Sequence, residues 1–377
     1  MKILILSVTT GGGHNMVSSA VSDALTQRGH ELICADLFQL CGIPAKLPDL
    51  LYRFSASHLR RSYHRVYNRL LESPALRRKL KTCFMPSRML TPLKRYLEQT
   101  KPDCVIASHV FAAMLVGELK AADYFSFPLV SILTDYCIHP FWESCLCMDA
   151  LILPSGYLCS AAKERGISAD ILYPIGLPLR RSFDSRSVPA ERKRELGLSS
   201  APLVLLMGGS MGYGRIFSVA LALRKRRELN IVCICGKNRL LYAALHPFRR
   251  ENLTVLGYID ALPQYMCAAD LAVTKPGGIT LAELSSAALP ALLFDAIPGH
   301  EEYNLQFWEK YGGCRDFSSA SCTEIASAAG SLLSDSEELS RMENAQRRMS
   351  FPQAAENLCK FVESLDKIGK HGTIHMK

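Results

Sequence analysis

The sequence predicts an α/β protein made of two Rossmann-like domains facing a cleft. Three observations carry that prediction. Short apolar runs alternate with helix-patterned stretches along the whole chain. The alternation comes in two series separated by a proline-rich break. Each series opens on an apolar run that ends in a cluster of glycines. A chain of 377 residues also exceeds one ordinary core and fits roughly two domains.

The first series predicts strands over 2–8, 31–35, 103–107, 128–133 and 149–153. "KILILSV" is apolar throughout, as a parallel strand covered on both faces would be. Asn15 to Leu25 then has helical spacing, with Met16, Val17, Ala20, Val21 and Ala24 on one side. The break is "YPIGLPLRRSFDSRSVPAERK", where Pro174, Pro178 and Pro189 interrupt and Gly176 allows a hinge. The second series, from "PLVLLMG", predicts strands over 203–207, 230–235, 252–256, 270–274 and 290–294. The expected boundaries are a first domain over 1–173, a linker over 174–182, a second domain over 183–345 and a tail over 346–377. In that tail Phe351 to Ile368 reads as a helix that can pack back on the first domain.

Bulk numbers exclude several classes. Hydrophobic residues make up 49% and charged residues 21%, which is globular and not disordered. No run approaches the roughly 18 apolar residues of a spanning helix, and Lys2 to Thr9 lacks a signal-peptide pattern, so a cytoplasmic location is expected. The fourteen cysteines include no Cys-x-x-Cys pair, and Cys233 and Cys235 lie in the strand pattern "NIVCIC". They read as reduced core thiols, and no metal site is expected. The charge is local. Tyr52 to Arg95 holds twelve Lys/Arg against one acid, Glu72, a net +11 in a chain of +9, so all the rest carries −2. Its arginines, among them Arg60, Arg61, Arg65 and Arg69, are interleaved with Phe54, Leu59, Tyr63, Tyr67, Leu70 and Leu71. Such a mixture suits an anionic bilayer surface with the apolar side chains among the headgroups. No nucleic-acid motif accompanies it, so no nucleic-acid partner is expected.

Five loops carry candidate chemistry. Gly11, Gly12, Gly13 and His14 follow the first strand, where glycines admit a ligand and a histidine can move a proton. The sixth position from Gly11 is Met16, so the dinucleotide fingerprint is absent. "LLMGGSMGYGRI" repeats the design in the second domain, where Gly208, Gly209, Ser210, Gly212 and Gly214 open into a helix able to hold phosphate. In "DLAVTKPGGITLAE", Lys275, Gly277 and Gly278 form a turn, a helix starts near Thr280, and Glu283 falls in its first turn, either as an ordinary helix-start acid or as a carboxylate bridging ribose hydroxyls. "FDAIPGHEEYN" offers Glu301, Glu302 and Asn304 to sugar hydroxyls or to their own helix cap. "SILTDYCIHPFW" puts Asp135 after a strand, as a base, as a group orienting His14, or as a plain loop acid.

Together these segments resemble the monogalactosyldiacylglycerol synthases and processive diacylglycerol glucosyltransferases of glycosyltransferase family 28, which have the two-domain GT-B fold. The resemblance runs from "TTGGGH" through "TDYCIHPFW", "GYID" and "LPQYMCAADLAVTKPGGITLAE" to "IPGHEEYN", residues 9 to 304. Its most specific part is the pairing of "KPGG-x-T-x-x-E" with "PG-x-EE-x-N". His300 and Tyr303 depart from the family's usual Gln and Gly, and Asn15 from a basic residue. The resemblance implies an inverting transfer of glucose or galactose from a UDP-sugar to diacylglycerol or a glycosyl-diacylglycerol, at the inner face of the cell membrane and without a cofactor. It assigns Gly209, Ser210 and Gly212 to the diphosphate, Glu283 to the ribose, Glu301, Glu302 and Asn304 to the sugar, and the base to His14. The first domain would take the acceptor, with Gly12 and Gly13 giving room for its head, and the second the donor. Two alternatives keep the fold: a UDP-GlcNAc transferase acting on a polyprenyl-diphosphate wall intermediate, and a UDP-GlcNAc 2-epimerase. A non-catalytic nucleotide-sugar sensor is a third, against which His14 and Asp135 speak.

Overall fold

The computed structural model describes residues 1–9, 12–44, 60–84, 87–180 and 189–371. They form two compact units, Met1–Leu179 with Gln353–Lys377, and Arg180–Pro352.

The first unit is built on six parallel strands: β1 (Lys2–Ser7), β2 (Glu31–Asp36), β3 (Cys104–Ala107), β4 (Leu129–Ile132), β5 (Ala150–Ile152) and β6 (Leu172–Tyr173). Their order is β2-β1-β3-β4-β5-β6. The second carries β7 (Leu203–Met207), β8 (Asn230–Ile234), β9 (Leu253–Leu256), β10 (Leu271–Thr274), β11 (Ala291–Leu293) and β12 (Cys314–Asp316), in the order β12-β11-β10-β7-β8-β9. All ladders are parallel. Helices cover both faces, which is why β3, β4, β5, β7, β10 and β11 are buried at every residue and read as unbroken apolar runs. The ten strands expected from the sequence lie within a residue or so of those observed. Two were not expected. β6 is cut short by Pro174, and β12 (Cys-Arg-Asp) is an edge strand with two exposed residues, so neither shows an apolar run.

Six helices matter for the site: α1 (Gly13–Gln27), α2 (Arg60–Glu72), α3 (Ile216–Leu223), α4 (Gly278–Ser286), α5 (His300–Lys310) and α6 (Ala354–His371). α6 belongs to the first unit and packs on α1. Among its described side chains, Ala354, Leu358, Cys359 and Val362 are buried. Phe361 lies against Tyr173 with ring centroids 4.4 Å apart. Just past α1, the Arg28 guanidinium donates from Nε and Nη2 to Glu363 at 2.7 Å each, and from Nη1 to Glu356 at 2.9 Å. These exposed pairs fix direction more than they add stability, which comes from the apolar face. Leu358→Ala should therefore lower the unfolding free energy of the first unit by about 2–5 kcal/mol, read by denaturant unfolding. A loss under about 1 kcal/mol, the size of an ordinary surface substitution, would mean that α6 does not share its core.

Candidate active site

In both sheets the first strand of the unit lies between two neighbours whose connections leave it in opposite directions. It is β1 between β2 and β3, and β7 between β8 and β10. Ligands of open α/β sheets gather at the carboxyl ends of strands at such a switch point. The glycine loops sit there.

In the first unit Gly12 caps α1 with φ 89°, a left-handed conformation that glycine adopts without strain. Gly13 is the first residue of the helix, so His14 stands in its first turn and not in the loop before it; Gly11 lies outside the described residues. His14 Nδ1 is 2.7 Å from the carbonyl oxygen of Ser108, the residue after β3. A carbonyl only accepts, so Nδ1 carries the proton and Nε2 the lone pair of the neutral ring. Thr134 Oγ1, beyond β4, lies 3.3 Å from the same Nδ1. The ends of three strands thus meet on one imidazole, and Asp135, half-buried, is the next residue in that loop. His109 packs edge-on to His14 with ring centroids 4.5 Å apart. Its Nδ1 accepts the Phe111 N–H at 3.1 Å, and burial, with His14 and His139 nearby, holds its pKa far below the ordinary value. Farther along that sheet edge, His139 accepts from the Phe141 N–H in the same way at 3.2 Å.

The basic segment is only partly available to a membrane. The stretch 52–59, with Phe54 and Leu59, lies outside the described residues, as do the side chains of Arg60, Arg61 and Tyr63. On α2, Tyr67 and Leu70 are buried in the protein, with Tyr67 edge-on to His139 at 5.4 Å. That corrects the expectation that these two face headgroups: the apolar stripe of α2 docks the helix. Arg65, Arg69 and Val66 are exposed. Arg77 caps the end of α2 through the carbonyls of Leu70 and Leu71, both at 3.0 Å, and pairs with Glu143.

In the second unit three motifs converge on Lys275. Its Nζ donates to Glu301 Oε1 at 2.6 Å, and its stem passes under Gly209, where an added Cβ would lie 3.0 Å from Cε. Glu301 Oε2 accepts the Ile297 N–H at 2.8 Å. Asn304, fully buried, donates to the Pro276 carbonyl at 3.1 Å, and Glu302 accepts the Gly299 N–H at 2.9 Å. Gly208 and Gly212 serve the loop's own packing: a Cβ on Gly212 would meet the Cys235 carbonyl, and one on Gly208 would lie 2.5 Å from the Tyr213 carbonyl. The loop is pinned from below, where Ser210 O accepts from Lys237 N at 2.8 Å and Gly212 O from Asn238 Nδ2 at 3.1 Å. The amide of Arg215, at the start of α3, donates to Asp295 Oδ2 at 2.6 Å. Asp295 and Glu302 thus take the amides of the residues just before α3 and α5, and Glu301 takes that of Ile297 in the turn, while none of α3, α4 and α5 has a side-chain cap. The start of α4, at Gly277, Gly278 and Thr280, has no side-chain cap and no acid in its first turn.

Glu283 corrects a second expectation. α4 begins at Gly278, so Glu283 is in its second turn, and it is 4% exposed. Among the described residues its carboxylate accepts no hydrogen bond; burial pushes its pKa up to about 8, against a smaller opposing effect of Arg180. A buried carboxylate without a protein partner on a helix with open amides is a ready acceptor for ligand hydroxyls. The sequence reading missed Ser108, His109, Arg215 and Asp295. The first two follow a strand as the recognised loops do, but with no glycine to mark them.

Comparison with known proteins follows the same division. Residues 14–179 match the family model described as monogalactosyldiacylglycerol (MGDG) synthase, and residues 203–358 match the glycosyltransferase family 28 C-terminal domain. A processive diacylglycerol beta-glucosyltransferase of Bacillus cereus (strain G9842) is 27% identical over 371 residues, covering 94% of this chain and 91% of its own. Among solved structures, MurG of Acinetobacter baumannii superposes with a TM-score of 0.61 at 17% identity, over 96% of this chain and 99% of its own. S. aureus MnaA, solved with UDP, has a TM-score of 0.64 at 13% identity, over the full length of both chains. These two likenesses establish the GT-B fold.

The Glu283 environment makes stability depend on pH. The folded chain keeps that proton to about pH 8, whereas the unfolded chain releases it near 4.5. The folded state binds more protons in between, so this group's contribution falls as pH rises through that window. Glu283→Gln cannot ionise. Its stability relative to the parent should rise from acid to about pH 8, by a few kcal/mol at the upper end. Urea unfolding across that range checks this, and a difference that stays flat with pH would mean that Glu283 is solvated.

Proposed function

The chain belongs to the family that joins a monogalactosyldiacylglycerol synthase domain to a glycosyltransferase family 28 C-terminal domain, and from that premise we propose that it moves a hexose from a UDP-sugar to diacylglycerol or a glycosyl-diacylglycerol. The observation that carries the donor half is Glu283, a buried carboxylate with no protein partner among the described residues, on a helix of the site whose first amides no side chain takes. A ribose diol would supply the missing donors, and the open start of α4 would take diphosphate charge. Support for the lipid acceptor comes from the match over 14–179 and from the B. cereus relative.

The chemistry assigns work to few groups. His14 Nε2 takes the acceptor hydroxyl's proton as the oxygen attacks the anomeric carbon, while Ser108 keeps the other nitrogen protonated. One displacement inverts the anomeric centre. The UDP leaving group needs donors set in advance, which the start of α4 and the remaining amides of the glycine loop would supply, so this reading calls for no metal. Asp135 stands beside Thr134 as the candidate second base. No described helix is long and apolar enough to cross a membrane, and we place the protein on the anionic inner face through the exposed arginines of α2.

Incubation with UDP-glucose or UDP-galactose and diacylglycerol in anionic liposomes, with identification of the product lipid, tests the reading. A glycolipid product supports it. Transfer of N-acetylglucosamine to a polyprenyl-diphosphate acceptor alone, or epimerisation of free UDP-GlcNAc, would replace it with one of the two alternatives.

His14→Ala should lower transfer by about 10²–10⁴-fold and leave UDP affinity, measured by calorimetry, unchanged. Near-normal turnover would move the base to Asp135. Membrane adsorption should have a strong electrostatic part, because Arg65 and Arg69 are exposed while Tyr67 and Leu70 are committed to the core. Each arginine near an anionic surface contributes about 1 kcal/mol, which salt screens. Arg65→Glu with Arg69→Glu should then reduce sedimentation with anionic liposomes, and salt should release the parent protein. Undiminished binding of the double variant would make α2 a solvated face.

A further inference from the structure

Asp295 follows β11 and has φ 51°, the left-handed conformation that a side chain rarely adopts. A residue kept there is held by its surroundings, and such positions concentrate at functional sites. Here the surroundings are explicit. The residue is 8% exposed, and both carboxylate oxygens are engaged by one partner: Oδ2 accepts the Arg215 backbone N–H at 2.6 Å, and Oδ1 accepts Arg215 Nε at 2.8 Å. Arg215 Nη1 continues to the Ala320 carbonyl at 2.8 Å, and Nη2 to the Ser318 carbonyl at 3.5 Å. Gly214 must be glycine for this approach, since its φ is 106° and a Cβ would lie 2.9 Å from Asp295 Oδ2.

The other end of the same glycine loop is gripped by the same turn. Gly209 rests on Lys275, Lys275 pairs with Glu301, and Glu301 accepts the amide of Ile297, two residues beyond Asp295. The segment 209–215 and the turn 295–301 therefore close a ring, joined at one side by the pair Lys275 and Glu301 and at the other by the pair Asp295 and Arg215. Neither segment can shift along the sheet edge without breaking a charged pair.

We propose that Asp295 is a positioning residue that fixes the separation between the glycine loop and the 298–304 turn. This rests on reading the unit as the UDP-sugar site, with the diphosphate at the loop and the hexose at the turn. A donor has one fixed distance from its diphosphate to its sugar ring. Fixing the two segments to that distance places the anomeric carbon for attack, which UDP, lacking the sugar, does not report. A misplacement of about 1 Å is enough to cost on the order of 10²-fold in rate.

Asp295→Gly tests this, because glycine accepts the left-handed backbone while the side chain that holds Arg215 is gone. kcat/KM for the UDP-hexose should fall on the order of 10²-fold, chiefly in kcat, while UDP affinity by calorimetry stays near the parent's. Arg215→Ala, which leaves the Asp295 backbone untouched, should reproduce the loss, and it serves alone if the glycine variant does not fold. Turnover close to the parent's in both variants would overturn the proposal. So would an equal loss of UDP affinity and turnover, which would make Asp295 a support of the diphosphate loop only. If the parent protein itself binds no UDP-sugar, the donor reading fails first, and the proposal with it.

Discussion

The arrangement of the site depends on one constraint, the parallel ladder at the middle of each sheet. β1 pairs with both β2 and β3, and β7 with both β8 and β10. Because right-handed crossovers to either side leave in opposite directions, the carboxyl end of the shared strand opens a gap that no connection fills. What crosses that gap is side chain. In the first unit His14 reaches from β1 to the Ser108 carbonyl past β3. In the second, Gly209 past β7 lies on Lys275 past β10. Equivalent places in the two folds thus carry different groups, an imidazole in one and a paired cation in the other.

The electrostatics of the second unit follow from that pairing. Lys275 and Glu301 are both largely withdrawn from water, at 15% and 4% side-chain exposure, and they neutralise each other at 2.6 Å. Removing one partner would strand the other, at a cost of about 3–5 kcal/mol. The pair therefore acts as a strut, and its net field is small. Positive potential at the site comes instead from amides. None of the three helix starts there has a side-chain cap, but Asp295 and Glu302 take the amides just before α3 and α5, whereas α4 has no acid in its first turn. The acid that follows on α4, Glu283, is buried deeply enough to be held neutral near neutral pH, so it does not cancel that potential before a ligand arrives.

Legibility in the sequence follows the range of each signal. Buried parallel strands are continuous apolar runs, so ten of them can be read locally, while β6 and β12 carry no such run. Glycines mark the loops at the switch points, and those loops are where they are expected. Their reason is less legible. Gly208 and Gly212 read as room for a ligand, yet the structure gives that room to Tyr213 and Cys235. Contacts that span the sheet are invisible, because nothing local says that His14 meets Ser108 94 residues away, or that Arg215 meets Asp295 80 residues away. The apolar stripe of α2 is visible in its spacing; that the protein itself covers Tyr67 and Leu70 is not.

The histidines of the first unit show how such long-range contacts settle a chemical question. His14, His109 and His139 stand near one sheet edge, and three imidazoles could in principle share a proton. They are not equivalent. His109 presents Nδ1 to a backbone N–H, as His139 does, so neither can take a second proton there without losing a helix-capping bond. Burial adds to this for His109, which stays neutral. His14 is the reverse: its Nδ1 faces a carbonyl, which favours a proton at that nitrogen and leaves the basic lone pair on Nε2. A proton taken there gives an imidazolium whose existing Nδ1–H bond to Ser108 strengthens. Three similar side chains thus divide by tautomer, one donating from Nδ1 to a strand-end carbonyl and two accepting at Nδ1 to hold the loops around it.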